Sequence, residues 1–116
     1  MRYMLMHKVD DKNPANWNPT PEFFARMGEF MAEANKAGVF LLGEGLQPTS
    51  AGAAKITIKD GKATVVDGPF AEAKEVIAGF AILQVRDHAE AIEWGTRFGA
   101  LFDELEIEIR KVSELP

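Results

Sequence analysis

Three segments of this chain carry apolar groups on both faces of an extended strand, yet only two segments can form amphipathic helices to cover them. Residues 2–9 place Tyr3, Leu5 and Val9 on one side and Met4 and Met6 on the other. Val39-Phe40-Leu41-Leu42 is a short continuous apolar run. Val76–Val85 is the longest such run, rich in β-branched residues and containing Gly79. Strands apolar on both sides belong in the middle of a sheet that is covered twice. Length sharpens the conflict, because 116 residues make one domain, 1–116, with a single core.

The helical segments announce themselves by their ends. Thr20 can cap, Pro21 suits a first helical position, and Glu22 faces the positive end of the helix dipole. Phe23, Met27, Phe30, Met31 and Ala34 then share one face, with Arg26, Glu29, Glu33 and Lys36 opposite. Gly38 supplies the left-handed stop. Asp87-His88-Ala89-Glu90 spells a capping box in which Glu90 reaches back to the cap, with His88 exposed. Ala91, Trp94, Gly95, Phe98, Leu101 and Phe102 form the second stripe, and Gly95 and Gly99 permit close packing.

Between these elements lie a loop and a hairpin. Residues 10–21 contain Pro14, Pro19 and Pro21 and form a surface loop, in which Trp17 either folds down on apolar surface or lids a pocket. Asp60-Gly61 between Lys55–Lys59 and Lys62–Val66 is the strongest short-range hairpin signal. A two-residue turn sets Thr57 opposite Thr64 and Ile56 opposite Val65. Ile56, Ile58, Ala63 and Val65 then share the face of a half-buried hairpin. Lys59 and Lys62 meet at a solvated tip. Glu104–Arg110 alternates strictly, as a guarded edge strand does.

The order β-α-β, hairpin, β-α-β predicts an α+β fold, a ferredoxin-like βαββαβ domain with an inserted β-hairpin. Right-handed crossovers put both helices on one face. The other face is left as an apolar patch of the size that marks an interface. The economical solution is a two-fold homodimer through the open sheet face, a dimeric α+β barrel.

Charge and composition exclude several functions. A formal charge of -5 argues against nucleic-acid backbone binding, and the absence of cysteine removes thiolate nucleophiles and thiolate metal sites. No apolar run is long enough to span a bilayer. Met1–Lys8 is a poor signal peptide, so a cytoplasmic location is expected.

Val66-Asp67-Gly68-Pro69-Phe70-Ala71-Glu72-Ala73-Lys74-Glu75, with Gly43-Glu44-Gly45-Leu46-Gln47-Pro48 upstream, closely resembles the YCII-related family in its DGPF branch. Arg2-Tyr3-Met4-Leu5 and Glu90-Ala91-Ile92-Glu93-Trp94 extend the resemblance over almost the whole chain. It implies a dimeric α+β barrel with a ligand pocket and no cofactor. Some members lie beside genes for alternative sigma factors, which implies a functional link to regulation. The YCII branch carries a His–Asp pair as its proposed active site, but the first helix here has no histidine and no matching Asp follows Trp94.

The candidate site residues cluster at strand ends. Asp67 either closes a turn by accepting backbone N–H bonds, with Phe70 anchoring it in the core, or serves as a base. Glu44, Asp67, Glu72 and Glu75 at one pocket mouth would raise one another's pKa or hold a cation through hard oxygen ligands, although their spacing matches no metal motif. Lys74 would instead neutralise Glu72 or Glu75. Glu44 between two glycines is either aimed at a ligand or set in a bulge, and His7 is either a half-buried strand-end histidine or a catalytic one. Gly45, Gly68, Pro69, Phe70 and Trp17 complete the candidate ligand-binding set. Two functions follow: a small-molecule-binding or regulatory homodimer, or a cofactor-free proton-transfer enzyme (isomerase, lyase or dehydrochlorinase). In the enzyme, Asp67 or Glu44 is the base and His7 assists. It requires two of Glu44, Asp67, Glu75 and His7 to converge on one ligand atom.

Overall fold

The structure, a computed structural model, describes residues 1–115. Six strands and two helices alternate as β1 (Arg2–Val9), α1 (Pro21–Lys36), β2 (Phe40–Gly45), β3 (Ala54–Lys59), β4 (Lys62–Asp67), β5 (Val76–Gln84), α2 (His88–Gly99) and β6 (Glu106–Lys111). The main sheet runs β2-β5-β1-β6, all antiparallel. This is the ferredoxin-like α+β order, with β3 and β4 standing apart as a two-stranded ribbon. The apolar strands β5 and β1 are central and the alternating β6 is an edge, as their patterns predict; β2, placed in the middle by the same pattern, is instead the opposite edge, with Leu41 and Leu42 exposed. Among the described residues no helix is long and apolar enough to cross a membrane.

Helix ends follow local chemistry closely. Thr20 Oγ1 accepts from Phe23 N at 3.1 Å, and Gly38 ends the first helix at φ 72°. Asp87 Oδ1 accepts from Glu90 N at 2.9 Å. Glu90 does reach back, but to Arg86 N, one residue before the cap, at 2.9 Å, and it also pairs with the Arg86 guanidinium. Glycines on α2 set its height over the sheet. A β-carbon at Gly95 would lie 2.6 Å from Ile109 Cδ1, and one at Gly99 3.1 Å from Ile107 Cδ1.

Register divides the sheet cleanly. Tyr3, Leu5, His7 and Val9 face the helices with Leu83, Ala81, Ile109 and Ile107, and the core gathers there with Ala34, Val39, Ala91 and Trp94. Met4, Met6, Phe80, Ile82 and Leu42 face the other way. The molecule is only 18 Å through its shortest axis, the depth of one sheet and one helix layer. Among the described residues no helix covers that second face.

Two expectations are corrected. The hairpin has the predicted register, Thr57 opposite Thr64 and Ile56 opposite Val65, with positive φ at Asp60 and Gly61. It is not half-buried in this chain: every strand residue is exposed, Ile56 at 67 % and Ile58 at 64 %. The alternation sets the register, but no element among the described residues packs on the apolar face of the ribbon. The irregularity expected around Glu44 falls earlier, as a bulge between Phe40 and Leu42, and the strand runs regularly through Gly45.

The turn after β4 is a structural clamp. Gly68 N donates to Ala53 O at 2.8 Å, and Phe70 N donates to Thr49 Oγ1 at 3.2 Å. The Thr49 hydroxyl donates in turn to Asp11 Oδ2, and Thr49 N to Asp11 Oδ1 at 3.1 Å. One buried hydroxyl therefore ties three loops together. Gly68 admits no side chain, since a β-carbon there would lie 2.1 Å from Thr49 O. Asp67 is exposed and makes no side-chain hydrogen bond among the described residues, so the Thr49 hydroxyl does the work expected of it. Phe70 is buried as predicted, but outside the main cluster, with Lys55 Nζ 4.3 Å from its ring centroid. Thr49→Val, which keeps the shape and leaves the Phe70 N–H unpaired, should cost about 1–3 kcal/mol in urea denaturation. Thr49→Ser should stay much nearer wild type. Equal stability of all three proteins would refute the clamp.

Candidate functional site

A cleft that combines polar and apolar groups opens between α1 and the helix-facing side of the sheet. Its outer part, about 610 Å³, is bounded by Trp17, Glu22, Arg26, Gln47 and Glu104. Its inner part, about 360 Å³, is walled by Phe30, Met31, Phe40, Trp94 and Phe98. His7, Phe23, Met27 and Gly45 border both. The two parts adjoin along these four residues, the neck of the cleft.

Strand pairing explains why the imidazole sits there. His7 lies opposite Gly79 in β5, and Gly79 opposite Gly45 in β2. A β-carbon on Gly79 would come 2.5 Å from His7 Cε1, so the ring lies in the space that the missing side chain leaves. On its other flank the ring meets Phe98 and Phe102, with centroids 5.2 Å and 5.7 Å away. Burial in this apolar setting holds the His7 pKa below its usual value, and no charged or hydrogen-bonding neighbour opposes it. The imidazole is therefore neutral at pH 7.

The rim comes from the proline-rich loop. Asn13 caps a short 3-10 turn, Pro14–Trp17, and Trp17 Nε1 donates to Asp11 O at 2.9 Å, which fixes the indole at the mouth. Asp11 is also the acceptor of the Thr49 clamp, so that one aspartate holds both rim and turn. Arg26, exposed as expected, also borders the mouth and donates to Ala100 O at 2.9 Å.

The candidate residues divide accordingly. His7, Trp17 and Gly45 meet at the cleft. Glu44 borders the inner part, with its carbonyl oxygen against Gly79, but its side chain follows the register of Phe80 and Met6 onto the open face. Asp67, Gly68, Pro69, Phe70, Glu72, Lys74 and Glu75 border neither part. The crowded carboxylates do not form. Glu72 is held below the ordinary carboxylate range, first by its own backbone N–H and then by Lys55 at 3.5 Å, the partner expected to be Lys74. No three His, Asp or Glu side chains among the described residues are grouped to hold a metal. Phe23, Met27, Gly79 and Phe98 are site residues that the sequence suggested only as core. An apolar run interrupted by Gly79 was the available signal for a close approach.

Because folding makes His7 harder to protonate, the unfolded chain takes up this proton first as pH falls. The His7 contribution is complete above about 6.5, the usual histidine value, and is lost as pH drops from there through the depressed folded value. Wild type should therefore lose more stability than His7→Gln between pH 7.5 and pH 5.5 in urea denaturation. Identical losses would show that His7 is not buried as described.

No curated protein matches this chain. The family model of the YCII-related domain matches residues 1–115, and with that coverage the chain belongs to the YCII-related family.

Proposed function

We propose that this protein is a cytoplasmic, small-molecule-binding homodimer of the DGPF branch, whose ligand enters the cleft beside His7. The observation that carries this reading is a polar mouth adjoining an apolar inner chamber, with His7, its pKa lowered by burial, among the residues they share. A pocket with mostly hydrophobic walls and a few placed polar groups is the usual form of a small-molecule site. The fitting ligand has a compact apolar or aromatic body for the chamber of Phe30, Trp94 and Phe98. It also has a hydroxyl or N–H that donates to the imidazole. The homodimer rests on the uncovered sheet face, where Met4, Met6, Phe80, Ile82 and Leu42 form one apolar surface. A regulatory role, linked to an alternative sigma factor, would act through ligand occupancy of this cleft.

One observation favours a second reading. A neutral, half-buried imidazole is in the state that a general base needs. Cofactor-free proton transfer would then use His7 as base, in place of Glu44 or Asp67, which do not converge with it on the cleft. Multiple turnover of a ligand found in the cleft, lost in His7→Gln, would distinguish enzyme from binder.

Trp17 and Trp94 border the two parts of the cleft and report on it by fluorescence. Binding of 2-naphthol should perturb that emission, and Met27→Trp, which fills the neck, should weaken binding at least tenfold with folding retained. His7→Phe should weaken 2-naphthol by roughly tenfold, the value of one hydrogen bond, and leave naphthalene unaffected. Equal loss for both probes would remove the hydrogen-bonding role of His7. No binding of either probe to wild type would remove the chamber as an aromatic site.

A further inference from the structure

The hairpin is the least explained element of the fold. Its strands form a sheet of their own, and Ile56, Ile58 and Val65 lie side by side on one face at 67 %, 64 % and 59 % exposure. A lone two-stranded ribbon is marginal in water, and an apolar face on it calls for a partner surface. We propose that this hairpin is an interchain arm, whose Ile56–Ile58–Val65 face lies on the Leu41–Leu42 margin of a second copy's sheet. This rests on the homodimer proposed above and specifies how its interface is built.

Three observations select a second copy as the occupant. The first is placement. β2 leads into the arm through the 46–53 loop and the arm returns to β5, and those two strands carry the most exposed apolar residues of the sheet, Leu41 at 50 %, Leu42 at 48 % and Ile77 at 41 %. The two strands that flank the arm in the chain therefore carry the exposed apolar margin, and a two-fold axis would apply the same contact twice.

The second is reach. A six-residue strand extends about 20 Å, and four strands side by side are about 19 Å wide, so one arm can span one sheet. The third is area. A face of that size has a footprint of about 400 Å², whereas a stable interface buries about 800 Å² per partner. The sheet faces alone fall short, and two arms supply the remainder.

The absence of native cysteine allows a direct test. Ile58→Cys chains and Leu42→Cys chains, mixed and gently oxidised, should give a covalent heterodimer, with Thr57→Cys, on the opposite face of the arm, giving far less. Ile56→Asp with Ile58→Asp should weaken self-association at least tenfold in analytical ultracentrifugation, with far-UV circular dichroism unchanged. A wild-type dimer whose affinity survives both aspartates, without Ile58–Leu42 crosslinking, would overturn the arm and leave the sheet-face dimer standing. A wild type that is monomeric at micromolar concentration would overturn the homodimer, and the arm with it.

Discussion

Everything distinctive here descends from one constraint: both crossovers are right-handed, so both helices lie on the same side of the sheet. The helix-facing side then has more coverage than it fills, and the other side has none. On the covered side, α2 sinks close to β6 because Gly95 and Gly99 let Ile109 and Ile107 come up to its backbone. α1 has no such glycine contacts over β2 and β5. It rests on Phe23, Met27, Phe30 and Met31, bulky side chains that hold it off the strands and leave the chamber beneath. The asymmetry between a glycine-lowered helix and an aromatic-propped helix is what opens a cleft on one half of the sheet only.

How far the sequence discloses this depends on the range of the interaction. Caps, turns and strand register are local, and Thr20, Gly38, Asp87 and Asp60-Gly61 each act as their chemistry dictates within a few residues. The alternation of β6 and the doubly apolar β5 likewise state their own places in the sheet. The cleft does not state itself, because it arises where distant segments cross. His7 reads as an ordinary strand-end histidine until β5 brings Gly79 opposite it and α2 brings Phe98 over it. Arg26 is exposed, where the helical wheel puts it, but the wheel does not disclose its partner. Its side chain reaches Ala100 at the end of the other helix, a contact no single-helix pattern contains.

The most conspicuous motif proves to be a fold device. Gly68 and Phe70 in the Asp67-Gly68-Pro69-Phe70 turn meet a threonine and an aspartate from two other loops, and the convergence that the sequence reading assigned to carboxylates is achieved by one hydroxyl. The connection to the cleft is indirect but physical. Asp11 accepts from Thr49 with its carboxylate and from the Trp17 indole with its carbonyl oxygen. Lys12, next to it, donates to Ala71 O at 2.7 Å. The turn therefore braces the loop that carries the rim, and the motif serves the site by fixing the position of Trp17.

The uncovered face also limits how two copies can meet. It is mostly apolar along β2, β5 and the β5-facing part of β1, with Glu44 the charged exception on β2, whereas on the β6 side it carries Glu106, Glu108 and Arg110, with Lys8 Nζ 2.9 Å from Glu108. That ion pair raises the Lys8 pKa and lowers that of Glu108, each through the hydrogen bond between them, and it is favourable while water surrounds it. Drying it would remove hydration from both charges, a loss that mutual attraction seldom recovers in full. A contact between copies is therefore displaced toward β2, which keeps the charged β6 margin wet. That displacement moves the partner toward the strands that flank the hairpin in the chain, where Leu41, Leu42 and Ile77 are exposed. The distribution of charge on one edge strand and the position of an apolar arm at the opposite edge thus favour the same docking geometry.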